Sequence, residues 1–454
     1  MLTQRTGRRQ RSEPADAASL QRGVRQLLAD KLSGNQVGLW LLLPEHLRLG
    51  SWDLLRAWTG ASSDALAPRL ALQMVHEAAL CRCNVRRGRT LSQKGFELAN
   101  GLPWVGSDAA LHDLCAAHTV AEAQQLQLHL GQLRRASGQF AGRLLVLDPH
   151  RLKSYSQRQM RRHRFTGEAR ASKRVQTFFC LDAETAQPVA FTLASGARTV
   201  AQATPELLTL VATILGVQPD RAAPPLVLAD EEHFSGAVFD AVRELGFDLL
   251  VPMKNSPAAR ARWSALAPAA FTRQWAGYAL ATHPYRFGNY DCAELVQRSG
   301  ERPEACERKG YLSTRDREAC AQLTAEYPQR WHVEEFFHAH QALGWRRAGT
   351  LNLHVRYAQM TLALLAQTVI QQFRQRLGQP YRRWDSAHLA QNLFGGLEGD
   401  VRVHDDTILV TYYNAPNAEL LRQHYEGLPE KLAAEKINPR VPWLYDFQLD
   451  FRFK

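Results

Sequence analysis

Two short apolar runs that each close on an aspartate constrain this chain more than any other feature: RLLVLD at 143–148 and PLVLAD at 225–230. An unbroken apolar run of this length, without polar alternation, reads as a strand buried on both faces. Between them lie VQTFFCL and VAFTLA, joined by DAETAQP, a pattern expected of a hairpin. After the second run come a helical segment (SGAVFDAVREL), Gly246 and a further strand, FDLLVPMK. A strand–helix–strand unit of this kind predicts a mixed sheet covered by helices, an α/β fold.

The rest of the chain is arranged around that sheet. With 454 residues it is long enough for about three domains at ~150 residues each. Residues 1–20 are polar, basic and aperiodic, and are expected to form a disordered arm. Residues 21–140 repeat apolar positions at three-to-four spacing and predict an all-helical region. The core is expected over 141–377, interrupted at about 256–318 by a β-rich insertion (GYALATHPYRF, CAELVQR, GYLST). Residues 378–454 are expected to form a C-terminal dimerisation or accessory region. No apolar run approaches the ~20 residues that span a bilayer, and the N-terminus lacks the apolar stretch of a signal peptide. Seven scattered cysteines with no C-x-x-C pair support neither a disulfide framework nor a zinc ribbon. A cytoplasmic, nucleoid-associated protein without membrane contact is expected.

Asp148 and Asp230 both stand at the carboxyl ends of their strands, where ligands gather in sheets of this type. A strand-terminal aspartate is also a common turn residue, so a cation site needs a third carboxylate. The segment YPQRWHVEEFFHAHQALGW offers Glu334. At 100° per residue, Tyr327, Arg330, Glu334 and Gln341 fall within about a 60° sector of one helix. Trp331, Val333, Phe336 and Phe337 around Glu334 predict that this helix is largely buried, and a buried acid beside an arginine requires a partner or a metal.

The pattern Tyr327-x2-Arg330-x3-Glu334 resembles the signature of the DDE transposases of bacterial insertion sequences, the group named for its Y-R-E-K residues. The resemblance covers roughly residues 90–380. It implies an RNase H-like core with one aspartate after the first strand, another after the fourth, a β insertion, and the signature glutamate. Asp148 in LLVLDPH and Asp230 in LVLADEEHF match the first two by context. Where the family has lysine, seven residues beyond Glu334, this chain has Gln341. The implied activity is metal-dependent cleavage at element ends in double-stranded DNA (terminal inverted repeats), then attack of the 3′-hydroxyl on target DNA by a homodimer. Asp148, Asp230 and Glu334 would hold two Mg²⁺ ions, for which Mn²⁺ can substitute. Oxygen ligands suit Mg²⁺, and a pair of ions serves both the attacking and the leaving oxygen of phosphodiester chemistry. Tyr327, Arg330 and Gln341 would contact DNA.

Charge agrees with a polyanionic partner. Lys+Arg is 56 against 44 Asp+Glu, a net +12. Residues 151–174 hold nine cations (among them Arg151, Lys153, Arg158, Arg161, Arg162 and Arg164) against Glu168 alone. A solvated loop is the ordinary explanation of a charge run. Its position just after Asp148 favours a surface that tracks the DNA backbone. A second cluster, Arg82, Arg86, Arg87, Arg89 and Lys94, suits a solvated loop and a DNA-contacting loop equally. Trp263 and Trp275, in the insertion, are expected mainly to pack, with stacking on a flipped base as the alternative. No nucleotide-binding glycine loop occurs. The alternatives to a transposase are an RNase H-like nuclease without strand transfer and a non-catalytic DNA-binding descendant.

Overall fold

The run Leu144–Leu147 is buried in full and forms the first half of strand β1 (Leu144–Lys153), which continues past Asp148. This computed structural model describes residues 16–34, 36–62, 65–83, 90–154, 159–160, 162–164, 169–219, 222–302, 305–315, 321–334, 336, 341–344 and 352–454, the side chains of His163 and Gln341 excepted. The chain divides into two compact units, one built from Met1–Leu126, Ala342–Trp345 and Ala358–Lys454, the other from Gln127–Gln341 and Arg346–Tyr357.

In the second unit, β1 pairs antiparallel with β2 (Ser172–Asp182), and β2 with β3 (Gln187–Ser195), the expected hairpin. Helix α1 (Val200–Leu215) follows, its N-terminus closed by a capping box between Thr199 and Gln202. Strand β4 (Leu226–Leu228) then returns parallel to β1, and after α2 (Gly236–Glu244) strand β5 (Asp248–Pro252) lies parallel to β4. The order β3-β2-β1-β4-β5 is that of an RNase H-like sheet. Leu207, Leu208, Val211, Phe239 and Val242 from the helices close its core with Leu145, Leu147 and Val227.

The β insertion extends this sheet instead of forming a separate layer. After α3 (Pro257–Ser264) come β6 (Thr272–Trp275), β7 (Tyr278–Phe287), β8 (Tyr290–Ser299) and β9 (Glu307–Ser313), an antiparallel series whose last strand pairs with β5. Trp263 fastens α3 to it: the buried indole donates to Glu294 Oε1 (2.7 Å). Gly310 lies beneath that ring, where an added Cβ would come within 2.2 Å of it.

In the first unit, helices Ala17–Ala29, Leu43–Leu49, Ser51–Thr59 and Leu66–Ala79 fit the helical expectation. The stretches 21–140 and 378–454, expected as separate regions, contribute to this same unit up to Leu126. Strand pairing joins them: Leu32–Gly34 lies antiparallel to Gly399–Val401, at the edge of a five-stranded sheet otherwise made by the C-terminal residues. Buried donors complete the union, with Trp443 Nε1 on the Ala99 carbonyl (2.9 Å) and Tyr412 Oη on that of Val37 (2.9 Å). Deep in this unit, His76 Nδ1 meets Asn100 Oδ1 at 2.7 Å and its Nε2 meets His46 Nε2 at 3.2 Å. Burial holds both imidazoles below their ordinary pKa, His76 at about 4. Among the described residues no helix is long and apolar enough to cross a membrane.

Candidate active site

The register of the parallel pair β1–β4 sets the site. Leu144, Leu145 and Val146 oppose Leu226, Val227 and Leu228, and the same offset of 82 residues carries Asp148 onto Asp230. The two aspartates therefore emerge at one level, two residues past the last paired rung. Here β4 ends while β1 continues on β2 alone, with Asp148 opposite Phe179. That divergence opens the sheet at its carboxyl edge.

Asp230 is fixed by the turn it starts. Its Oδ1 accepts from the Glu232 amide (3.1 Å) and meets His233 Nδ1 at 2.6 Å. Burial disfavours its charge, but the His233 hydrogen bond and positive neighbours outweigh this and hold its pKa below the ordinary value. Asp148 is met by a long contact from the Arg330 guanidinium and, among the described residues, by no backbone amide or imidazole. Burial first, then the negative charge of Asp230, push it up to about 7 despite Arg330 and His233, and Glu334 adds to the rise. Arg330 Nη1 lies 3.5 Å from Asp148 Oδ1.

The signature segment departs from the regular helix expected. A π-helical stretch, Gln322–Glu326, leads into a 3₁₀ turn, Tyr327–Trp331, which accommodates Pro328. At three residues per turn, positions i and i+3 eclipse. Tyr327 and Arg330 accordingly stack along one side, the guanidinium 6.0 Å from the ring centroid, and beyond the 3₁₀ turn, where α-helical geometry resumes, Val333 and Phe336 are buried. Phe336 packs edge-on to Phe179, the cross-strand neighbour of Asp148. Trp331 is 62% exposed and Glu334 is exposed as well. The expected burial of Trp331 and Glu334 is thus corrected: the 3₁₀ turn ends at Trp331, the described residues 332–334 and 336 are α-helical, and the side chains buried there are Val333 and Phe336. Tyr327 is held by the Ala229 carbonyl (3.4 Å) and the edge of Tyr311, and burial raises its phenol to about 12.

The structure brings Asp148, Asp230, Arg330 and Tyr327 together and leaves Glu334 on the rim. Among the described residues no three His, Cys, Asp or Glu side chains converge tightly enough to share one ion. The basic stretch begins with Arg151, hydrogen-bonded to Gln176 (3.0 Å) and paired with Glu232. Lys153, Arg162 and Arg164 are exposed. Arg158 and Arg161, the side chain of Gln341, and Arg86, Arg87 and Arg89 of the second cluster lie outside the described residues. Of the two insertion tryptophans, Trp263 packs, whereas Trp275 is 52% exposed and stacks flat on Tyr278, the centroids 4.3 Å apart. His233 and Glu232 were missed by sequence reasoning. Their one signal was their place in LADEEHF, within three residues of Asp230.

Comparison with known proteins follows the same line. The family model for the transposase DDE domain matches residues 139–369. No curated protein matches the chain by sequence. Among solved structures it is similar to a piggyBac transposase in a synaptic complex with hairpin DNA, at 12% identity and a TM-score of 0.43, over 81% of this chain and 82% of that one. A likeness that loose carries no weight here.

Proposed function

The chain belongs to the family of transposase DDE domains, and on that premise we propose that it cleaves DNA at the ends of an insertion sequence and joins the freed 3′-hydroxyl to target DNA. The observation that carries this reading is the shared level of Asp148 and Asp230 on adjacent parallel strands, with Arg330 against the first of them. Two carboxylates side by side at a sheet edge form an all-oxygen donor set suited to a hard divalent cation, and Arg330 now supplies positive charge at that place. In this proposal Asp148 and Asp230 hold Mg²⁺ or Mn²⁺, with Glu334 joining from the rim. Two such ions would activate the attacking oxygen and stabilise the leaving one.

The protein's own groups do the rest. His233 keeps Asp230 ionised and aimed into the opening. Arg330, released from Asp148, presents a fork to phosphate oxygens. The Tyr327 phenol stays protonated at neutral pH, so it serves as a hydrogen-bond donor. A homodimer would bring two element ends together.

The test is end cleavage of a plasmid carrying the sequences that flank the gene, followed by capture of target DNA. Cleavage without joining would leave a nuclease of the same fold, and binding without cleavage a non-catalytic descendant. DNA tracking by the basic stretch is checked separately. Replacing Arg161, Arg162 and Arg164 with alanine should flatten the slope of log affinity against log salt by up to ~2.7, from ~0.9 per phosphate contact. An unchanged slope would assign the stretch to solvent.

A further inference from the structure

Beside the aspartates, on the side of the sheet covered by α1, lies a cleft of about 680 Å³. Four cationic side chains line it: Arg151 near the end of β1, Arg174 in β2, Arg198 just before α1, and Lys254 two residues beyond β5. Its two acids, Glu231 and Glu232, directly follow Asp230. The cleft therefore opens at the same carboxyl edge as the candidate active site, and the turn that starts at Asp230 lines it.

The pairing inside the cleft is specific. Both terminal nitrogens of Arg151 engage Glu232, Nη1 meeting Oε1 at 2.9 Å and Nη2 meeting Oε2. Its Nε donates to Gln176, and the Gln176 amide is itself anchored on the carbonyls of Ser195 (3.2 Å) and Arg198 (2.8 Å). A guanidinium held this way presents two parallel N–H bonds to two oxygens, the arrangement it also uses for a phosphate. Lys254 is exposed and, among the described residues, has no ion-pair partner.

We infer that this cleft takes the phosphodiester backbone of the DNA strand next to the carboxylates, with Lys254 and Arg151 as contacts, and that Glu232 occupies the Arg151 fork as an internal stand-in for phosphate that DNA displaces. The inference rests on the DNA-processing function proposed above. It makes two residues of one cleft act with opposite sign. Lys254 strengthens DNA binding by contact, whereas Glu232 weakens it by competition.

The experiment measures binding of the full-length protein to a 30-base-pair duplex in EDTA over a range of KCl. Lys254→Gln should flatten the log–log salt slope by ~0.9, one phosphate contact. Glu232→Gln should tighten binding about 3- to 10-fold at low salt and steepen the slope by up to ~0.9. Glu244→Gln, the same charge change on an exposed residue at the far end of α2, should shift affinity by less than about twofold. Equal gains from Glu232→Gln and Glu244→Gln would reduce the effect to net charge and overturn the inference. So would unchanged slopes in both cleft variants while the Arg161, Arg162 and Arg164 replacement still flattens its own, and in that case the DNA-processing reading stands. If the unaltered protein shows no salt-dependent binding, both fail. Stabilisation by millimolar inorganic phosphate at constant ionic strength, lost in Lys254→Gln and accompanied by unchanged duplex slopes, would assign the cleft to a free anion and overturn the strand assignment.

Discussion

Asp148→Asn, Asp230→Asn and Glu334→Gln should each lower Mg²⁺-dependent end cleavage by at least about 10³-fold while leaving duplex affinity within a few-fold of the original. Metal stabilisation of charge developing on phosphate oxygens is worth several kcal/mol, and each ~1.4 kcal/mol is a factor of ten in rate. Each substitution keeps side-chain size and removes one negative charge, so the fold is preserved. Asp230→Asn retains an oxygen able to accept from the Glu232 amide, the contact that starts the turn. A second readout needs no DNA. Mn²⁺ should raise the melting temperature of the original protein, and that rise should vanish in Asp148→Asn and Asp230→Asn. Ordinary cleavage by any one variant removes that residue from the site.

The buried imidazole pair predicts the second large effect, on stability. His76 has a folded pKa of about 4, below its unfolded value near 6.5. Above pH 6.5 both states are neutral and the stability is intact. As pH falls from 6.5 toward 4, the unfolded chain takes up a proton that the folded chain refuses, so stability falls with pH. For His76 alone the loss approaches about 3 kcal/mol at the acid end. His46, depressed in the same direction, adds to it. Urea unfolding followed by tryptophan fluorescence between pH 7.5 and 4.5 should show the decline. His76→Gln should be less stable at pH 7 yet lose less on acidification. An identical pH slope in the two proteins would mean that the pair does not control acid stability.

The two aspartates were legible because nothing local competes with an apolar run closing on an acid, and parallel pairing preserves the level that the two runs suggest. The spacing around Glu334 was legible too, but its surroundings were not. Periodicity at 100° per residue assumes a regular α-helix, and Pro328 with the preceding π turn changes the pitch where the site residues sit. The residues that follow are turned relative to an α-helix extrapolated from Tyr327, so Trp331 and Glu334 are exposed while Val333 and Phe336 are buried. His233 pairs with Asp230 only three residues away, whereas Glu232 was hidden for another reason: its role depends on Arg151, 81 residues earlier, and a long-range pair leaves no local pattern. The same holds for the pairing of Leu32–Gly34 with residues 399–401.

That pairing has a consequence for synthesis. At ~5–20 residues per second, an edge strand at residue 32 waits on the order of 20–70 s for a partner some 370 residues downstream. The unit that carries the aspartates is contained almost wholly in Gln127–Gln341 and can assemble during that wait. Meanwhile the N-terminal helices leave the ribosome with surfaces that the last strands have yet to cover, among them the Ala99 carbonyl that Trp443 will cap. A nascent chain released before residue 399 therefore has its carboxylate edge in place and its N-terminal helices unfinished, open to chaperones and proteases.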